Sequence, residues 1–175
     1  MIRTHAILGN IFDQPRAKVV DHVNLEWFDT QKRMGRWVSE GGLEIALKLD
    51  KPPLMGLRDG DILFEDESCV VSVNILPTEI LCVYARNCAQ VAKLCYEVGN
   101  RHASLYYGDQ DLSFQTPFDK PLKVLFEKLG VSHEVLKGKL DSSRRISVSA
   151  PHANPLDSCA PLKFQESDQL LVIKR

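Results

Sequence analysis

The chain has no C-x-x-C pair, no run of histidines and no apolar stretch long enough to cross a bilayer. Its five cysteines, Cys69, Cys82, Cys88, Cys95 and Cys159, stand apart. Their odd number and wide spacing exclude a complete disulfide framework and a zinc-ribbon or thioredoxin-like pair. They read as reduced, mostly buried thiols, since free cysteine behaves as a small hydrophobe. No apolar run approaches the roughly 20 residues of a membrane span, and "MIRTHAILGNIFDQP" is too short in apolar character for a signal peptide. A cytoplasmic protein with no membrane partner is expected. A net charge of -1 leaves no basic excess, which argues against nucleic acid as the main partner. With only 10 glycines and 9 prolines in 175 residues, and no low-complexity tract, disorder is excluded for most of the chain.

What the chain does have is the composition of a folded domain, 44% hydrophobic and 26% charged, and a change of grammar near Pro77. Before it, "DHVNLEWF", "RWVSEGGLEIALKL" and "GDILFEDESCVVSVNIL" read as short strands. In the last of these, two β-rich runs flank the acidic turn "EDE", the pattern of a hairpin. Gly41-Gly42, Pro52-Pro53 and Asp59-Gly60 punctuate the region as in a small, strongly bent sheet or barrel. An all-β domain over residues 1–76 follows.

After Pro77, "TEILCVYA" reads as a strand, and Val91, Ala92, Cys95 and Val98 recur at helical intervals from Asn87 onward. Gly99-Asn100 suits the end of that helix, because Gly or Asn readily supplies the left-handed residue found there. "ASLYYG" and "LSFQT" form a strand pair across "DQD". A second helix begins at "TPFDKP", with Asp119 as cap and Pro121 in the first turn, and stops at Gly130; "HEVLKGKL" is the last strand. The order strand, helix, strand, strand, helix, strand is the split βαβ pattern of ferredoxin-like domains, a four-stranded antiparallel sheet with helices on one face. The fold class is therefore α+β: an N-terminal β domain, a ferredoxin-like domain over residues 77–148, and a tail over 149–175 whose character begins near Asp141.

Neutral imidazole binds nickel, zinc and copper, so the five histidines are the natural ligand inventory. His5, His22 and His133 read as solvated or hydrogen-bonded surface residues. His102 follows the helix end beside Arg101, where the plain alternative is a cation interacting with the last helical carbonyls. One histidine cannot make a tight site within one chain. In a two-fold dimer, however, a residue near the axis meets its own copy, so one ligand per chain becomes two. His152, in "APHANP", sits in the tail, where a segment can fold back onto a metal at an ordering cost of roughly 1 to 2 kcal/mol per residue fixed.

The stretch "CYEVGNRH", followed by "LYYG" and "PFDKPLKVLFEKLG", resembles the UreE-type urease accessory proteins, which are nickel metallochaperones. The resemblance runs through nearly the whole chain, including "LGNI", "NLEWFDTQKR", "GDILF", "VNIL", "KLDS" and the "PH" of the tail. It implies a non-enzymatic homodimer, with pairing into tetramers left open, built from an N-terminal β domain and a ferredoxin-like metal-binding domain. It implies Ni(II) shared by two copies of His102, with His152 completing the site and Zn(II) able to occupy it. It also implies delivery to an accessory GTPase and the urease assembly complex. Many relatives end in a histidine-rich tail, whereas "FQESDQLLVIKR" has no histidine after His152, so this is a short-tailed form without high-capacity storage. Each ligating imidazole must be neutral, so acid should release metal near the ordinary histidine value of about 6.5.

Other readings are a general zinc-binding protein, an acylphosphatase-like hydrolase and an RRM-type RNA-binding module. Arg101 and Asn100 supply the residue types for the hydrolase, but no glycine-rich anion loop follows the first strand of that domain. A Cys95 nucleophile is disfavoured because Cys88 and Cys95 share an apolar helix face, which raises thiol pKa values. Tyr106 and Tyr107 are adjacent strand residues that point to opposite faces, so only one could stack on a base.

Overall fold

The computed structural model describes residues 1–13, 17–51, 53 and 55–146. The N-terminal part forms two three-stranded sheets. One contains β1 (Ile2–Thr4), β3 (Met34–Val38) and β4 (Glu44–Lys48) in the order β1-β4-β3; the other contains β2 (Val19–Leu25), β5 (Ile62–Glu65) and β6 (Cys69–Ile75) in the order β2-β6-β5. β1 and β2 pair in parallel with β4 and β6, while the β3-β4 and β5-β6 pairs are antiparallel. Alternation places Val23 and Leu25 of β2, Ile45 and Leu47 of β4, and Val71, Val73 and Ile75 of β6 in one core between the sheets. The β5-β6 hairpin turns at Asp66, as the acidic run predicts. Asp66 Oδ1 accepts the backbone N–H of Ser68 and of Cys69, each at 2.8 Å, and these bonds hold its carboxyl down at about 2.

The second part has β7 (Thr78–Tyr84), α1 (Cys88–Asn100), β8 (Leu105–Tyr107), β9 (Ser113–Pro117), α2 (Lys120–Lys128) and β10 (Ser132–Gly138), in the predicted order. The strands lie as β10-β7-β9-β8, all antiparallel, which is the ferredoxin-like arrangement. Leu94 and Val98 of α1 and Leu122 and Phe126 of α2 bury against Leu81, Val83, Leu105 and Phe114 on one sheet face. Each such fully buried side chain contributes about 1.5–3 kcal/mol. Asp119 caps α2 by accepting the Leu122 N–H at 3.1 Å, with Pro121 in the first turn.

Two expectations change here. The sheet has a fifth strand, because β11 (Arg145–Ile146) pairs with the outer edge of β8. The segment from Asp141 to Ile146 is accordingly no tail. Asp141 caps a short 3-10 turn, and the buried Ser142 hydroxyl donates to the Leu57 carbonyl at 2.7 Å, fastening this segment to the N-terminal part. The opposite face of the sheet is also not left to solvent, since Ile80, Cys82, Tyr106 and Leu140 pack with Trp27. Lys139 Nζ completes the junction, donating to both Asp59 carboxylate oxygens (3.1 and 2.9 Å) and to Asn74 Oδ1 (2.8 Å). The segment 149–175, with His152 and Cys159, lies outside the described residues.

Candidate metal centre

The N-terminus of α1 is fixed by Asn87, whose Oδ1 accepts the Gln90 N–H at 2.9 Å, while Gln90 Oε1 accepts the Arg86 N–H at 2.8 Å. The Gln90 N–H is one of the donors that the first helical turn leaves open, and the Asn87 cap satisfies it. At the other end the Arg101 N–H reaches the Val98 carbonyl, the His102 N–H the Gly99 carbonyl (2.9 Å) and the Ala103 N–H the Val98 carbonyl (3.3 Å). The last two bonds define a Schellman motif with His102 at C′ and the Val98–Ala103 contact beneath it.

His102 itself therefore takes the left-handed conformation, at φ 53°, and Gly99 and Asn100 remain inside the helix. The expectation that Gly or Asn would supply the left-handed residue is corrected: the helix runs far enough to place a histidine there. For an L residue this geometry costs about 1 kcal/mol or more. α2 ends in the same motif with Gly130 at φ 63°, its N–H on the Glu127 carbonyl and the Val131 N–H on the Phe126 carbonyl.

The ring of His102 is exposed and, among the described residues, has no hydrogen-bond or ion-pair partner. It does not serve the helical carbonyls. Arg101 does so instead, its Nη1 donating to the Glu97 carbonyl (2.9 Å) and to Glu97 Oε2 (2.8 Å). Arg101 was not singled out as a positioning residue from sequence; it locks the turn that presents His102. The signal was there in the apolar pairs five apart, Val98 with Ala103 and Phe126 with Val131, which bracket both helix ends.

The other described histidines are engaged. His5 Nδ1 lies 3.1 Å from the Lys48 carbonyl, His22 Nδ1 3.0 Å from Ser72 Oγ, and His133 Nδ1 3.1 Å from the Val131 carbonyl. His133 also sits against the Phe126 ring. No group of three or more His, Cys, Asp or Glu side chains converges among the described residues. A site at His102 thus needs ligands from beyond these residues of a single chain.

The thiols are less buried than expected. Among the described cysteines only Cys82 is buried; Cys69 and Cys95 are half-buried and Cys88 is exposed. Cys88 and Cys95 do not share the apolar face, because Cys88 opens the helix toward solvent while Cys95 packs against the core. Desolvation raises the Cys95 thiol, and Cys82 is raised by burial and by the nearby Glu134 and Asp109 charges, which disfavours either as a nucleophile. Tyr106 is buried at the junction and Tyr107 is exposed, as strand alternation requires. No helix among the described residues is long and apolar enough to cross a membrane.

Residues 4–76 match the family model of the UreE urease accessory protein N-terminal domain, and residues 78–150 match that of its C-terminal domain. The chain belongs to the UreE urease accessory protein family. It is 60% identical over 172 residues to the urease accessory protein UreE of Helicobacter bizzozeronii, covering 97% of this chain and 98% of the relative. It is 49% identical over 150 residues to UreE of Helicobacter pylori (strain ATCC 700392 / 26695) and 48% to UreE of Helicobacter acinonychis (strain Sheeba), each match covering 85% of this chain and 88% of the relative. UreE proteins assist urease and are not themselves enzymes, so the hydrolase reading is set aside. In this chain, Arg101 is committed to the helix terminus.

Proposed function

We propose that this protein is a nickel metallochaperone whose site forms where two copies of the chain bring their His102 side chains together. The observation that carries the reading is His102 itself, an exposed and unpartnered imidazole kept at a left-handed position that glycine would fill at less cost. The outer face of α1 supports close approach of a second copy. Ala89, Ala92 and Gly99 on it are small, Tyr96, 69% exposed, is its large apolar group, and the exposed Lys93 flanks it. A two-fold axis beside this face supplies a pair of imidazoles from one residue type.

In this reading Ni(II) takes both His102 rings, His152 from one or both tails adds ligands, and water or backbone groups fill the remaining positions. Imidazole also accepts Zn(II), so zinc occupies the same site when it is the metal supplied. Residues 77–148 form the metal-binding domain, residues 1–76 the second domain and 149–175 the tail that carries His152. The homodimer, alone or paired into a tetramer, passes nickel in the cytoplasm to an accessory GTPase and so to the urease assembly complex. Transfer begins when that partner displaces the tail ligand.

Calorimetric titration of Ni(II) at neutral pH, with mass in solution measured at the same concentrations, tests the reading. Wild type should bind about one ion per dimer, His102→Ala none at that site, and His152→Ala should bind more weakly. Undiminished binding by His102→Ala would place the site elsewhere, and tight binding of zinc with none of nickel would favour a zinc-binding protein.

A further inference from the structure

We propose that β11 is a positioning strap for the tail ligand: Arg144, held on Asp109, and Ile146, packed beside α1, fix the point and direction from which the chain sets out toward His152, and both lead to His102 of the same chain. The inference rests on the metal site proposed above and adds to it the residues that bring the second ligand there.

The pairing of β11 sets the direction. Arg145 lies opposite Tyr106 and Ile146 opposite Leu105 in an antiparallel ladder, so β11 advances along β8 toward lower residue numbers, that is, toward His102. Leu105 is three residues from His102, a span of at most about 10 Å, and one strand spacing of about 5 Å separates it from Ile146. Ile146 is therefore no more than about 15 Å from His102, whereas the six residues that lead on to His152 reach about 20 Å. A parallel strap, or one on the far β10 edge of the sheet, would start the segment away from the histidine.

Two residues of ladder hold a strand only weakly. Side chains at both ends of β11 reinforce it. Arg144 Nη1 donates to Asp109 Oδ1 in the turn after β8, so one ion pair ties the start of β11 to the end of β8. Ile146 packs on the cluster that contains Val98, Ala103 and Leu105, and the Val98–Ala103 contact in that cluster is the one that closes α1 beneath His102. The strap and the left-handed histidine thus share one packed unit.

Releasing β11 would move the anchor back to Ser142 on the Leu57 carbonyl, ten residues from His152 rather than six. The effective concentration of a tethered group falls roughly as the −3/2 power of tether length, about twofold here, and the lost direction adds to this. The ion pair is exposed, so its hold is modest. A ligand that has to be displaced at transfer requires no more.

The test titrates Ni(II) by calorimetry into the full chain as wild type, Arg144→Glu and Ile146→Asp, each with and without His152→Ala. Arg144→Glu sets a carboxylate against Asp109 and should weaken nickel binding roughly three- to fivefold, and Ile146→Asp at least as much. Neither should weaken it further in the His152→Ala chain, because the strap acts only through that ligand. The exchanged pair Asp109→Arg/Arg144→Asp should recover most of the loss. Nickel should also slow amide exchange in β8 and β11 of wild type but not of His152→Ala, since the coupling is reciprocal. Equal weakening with and without His152, or wild-type affinity in both strap variants, would overturn the strap and leave the His102 site standing. Nickel binding that survives His102→Ala would instead overturn the site itself.

Discussion

His102 and Gly130 occupy the same position in the chain's two helix-ending motifs, each at C′, with φ of 53° and 63°. The bonding around them is the same, and only the residue differs. His102→Gly should therefore stabilise the fold by up to about 1 kcal/mol, the relief of left-handed strain less the greater freedom of glycine in the unfolded chain. Gly130→Ala should destabilise it by about 1 kcal/mol. Urea midpoints at constant slope measure both. A gain in stability together with loss of nickel binding would show that the histidine is kept at the expense of the fold; a loss of stability would mean that its ring has a structural partner.

The caps give a separate check on the elements that place this site. Asp119 accepts the Leu122 N–H and Asn87 the Gln90 N–H. Asp119→Ala and Asn87→Ala should each cost about 1 kcal/mol. Because His102 follows directly on the end of α1, Asn87→Ala should also increase amide exchange through the helix. An unchanged exchange pattern would mean that α1 is held by its packed face alone.

Much of this was readable beforehand, and what was not has a physical reason. The βαββαβ order and the Asp119 cap follow from local periodicity and side-chain chemistry, which neighbouring residues determine. β1 and β11 are three and two residues long and exist only through pairing with β4 and β8, partners remote in sequence. No local pattern marks them. The His102 conformation depends on where helix hydrogen bonding stops, and that point puts the left-handed residue two positions beyond Asn100 and three beyond Gly99, the residues that local chemistry suggests.

The junction between the two parts should respond to mutation at Leu140 and Lys139 in different ways. Leu140 is 1% exposed beside Trp27, Ile80 and Tyr106, so Leu140→Ala should cost about 2–5 kcal/mol whatever the salt. Lys139→Met removes exposed charge-assisted bonds to Asp59 and should cost about 1 kcal/mol or less, shrinking further at high salt. Thermal unfolding at two ionic strengths separates them. A salt-independent loss at Lys139 would show that its contact with Asn74, rather than its charge, holds the junction.

Acid should act on the β5-β6 hairpin through Asp66. Hydrogen bonds from Ser68 and Cys69 lower its carboxyl from the ordinary 3.8 to about 2, so the folded state favours the ionised form. Its contribution is complete above the ordinary value and is lost as pH falls from 3.8 toward 2. The opposite sign holds at Tyr84, where the hydrogen bond to Glu134 raises the phenol from 10.0 to about 12; that contribution is present below 10.0 and lost as pH rises through 12. Asp66→Asn keeps an acceptor for the turn but cannot titrate, so the pH dependence of its urea midpoint should be shallower than wild type in the acid window alone. Tyr84→Phe should be shallower only in the alkaline one. If Asp66→Asn follows the wild-type acid slope, the hairpin turn does not discriminate between the charged and neutral carboxyl, and other carboxylates account for the acid loss.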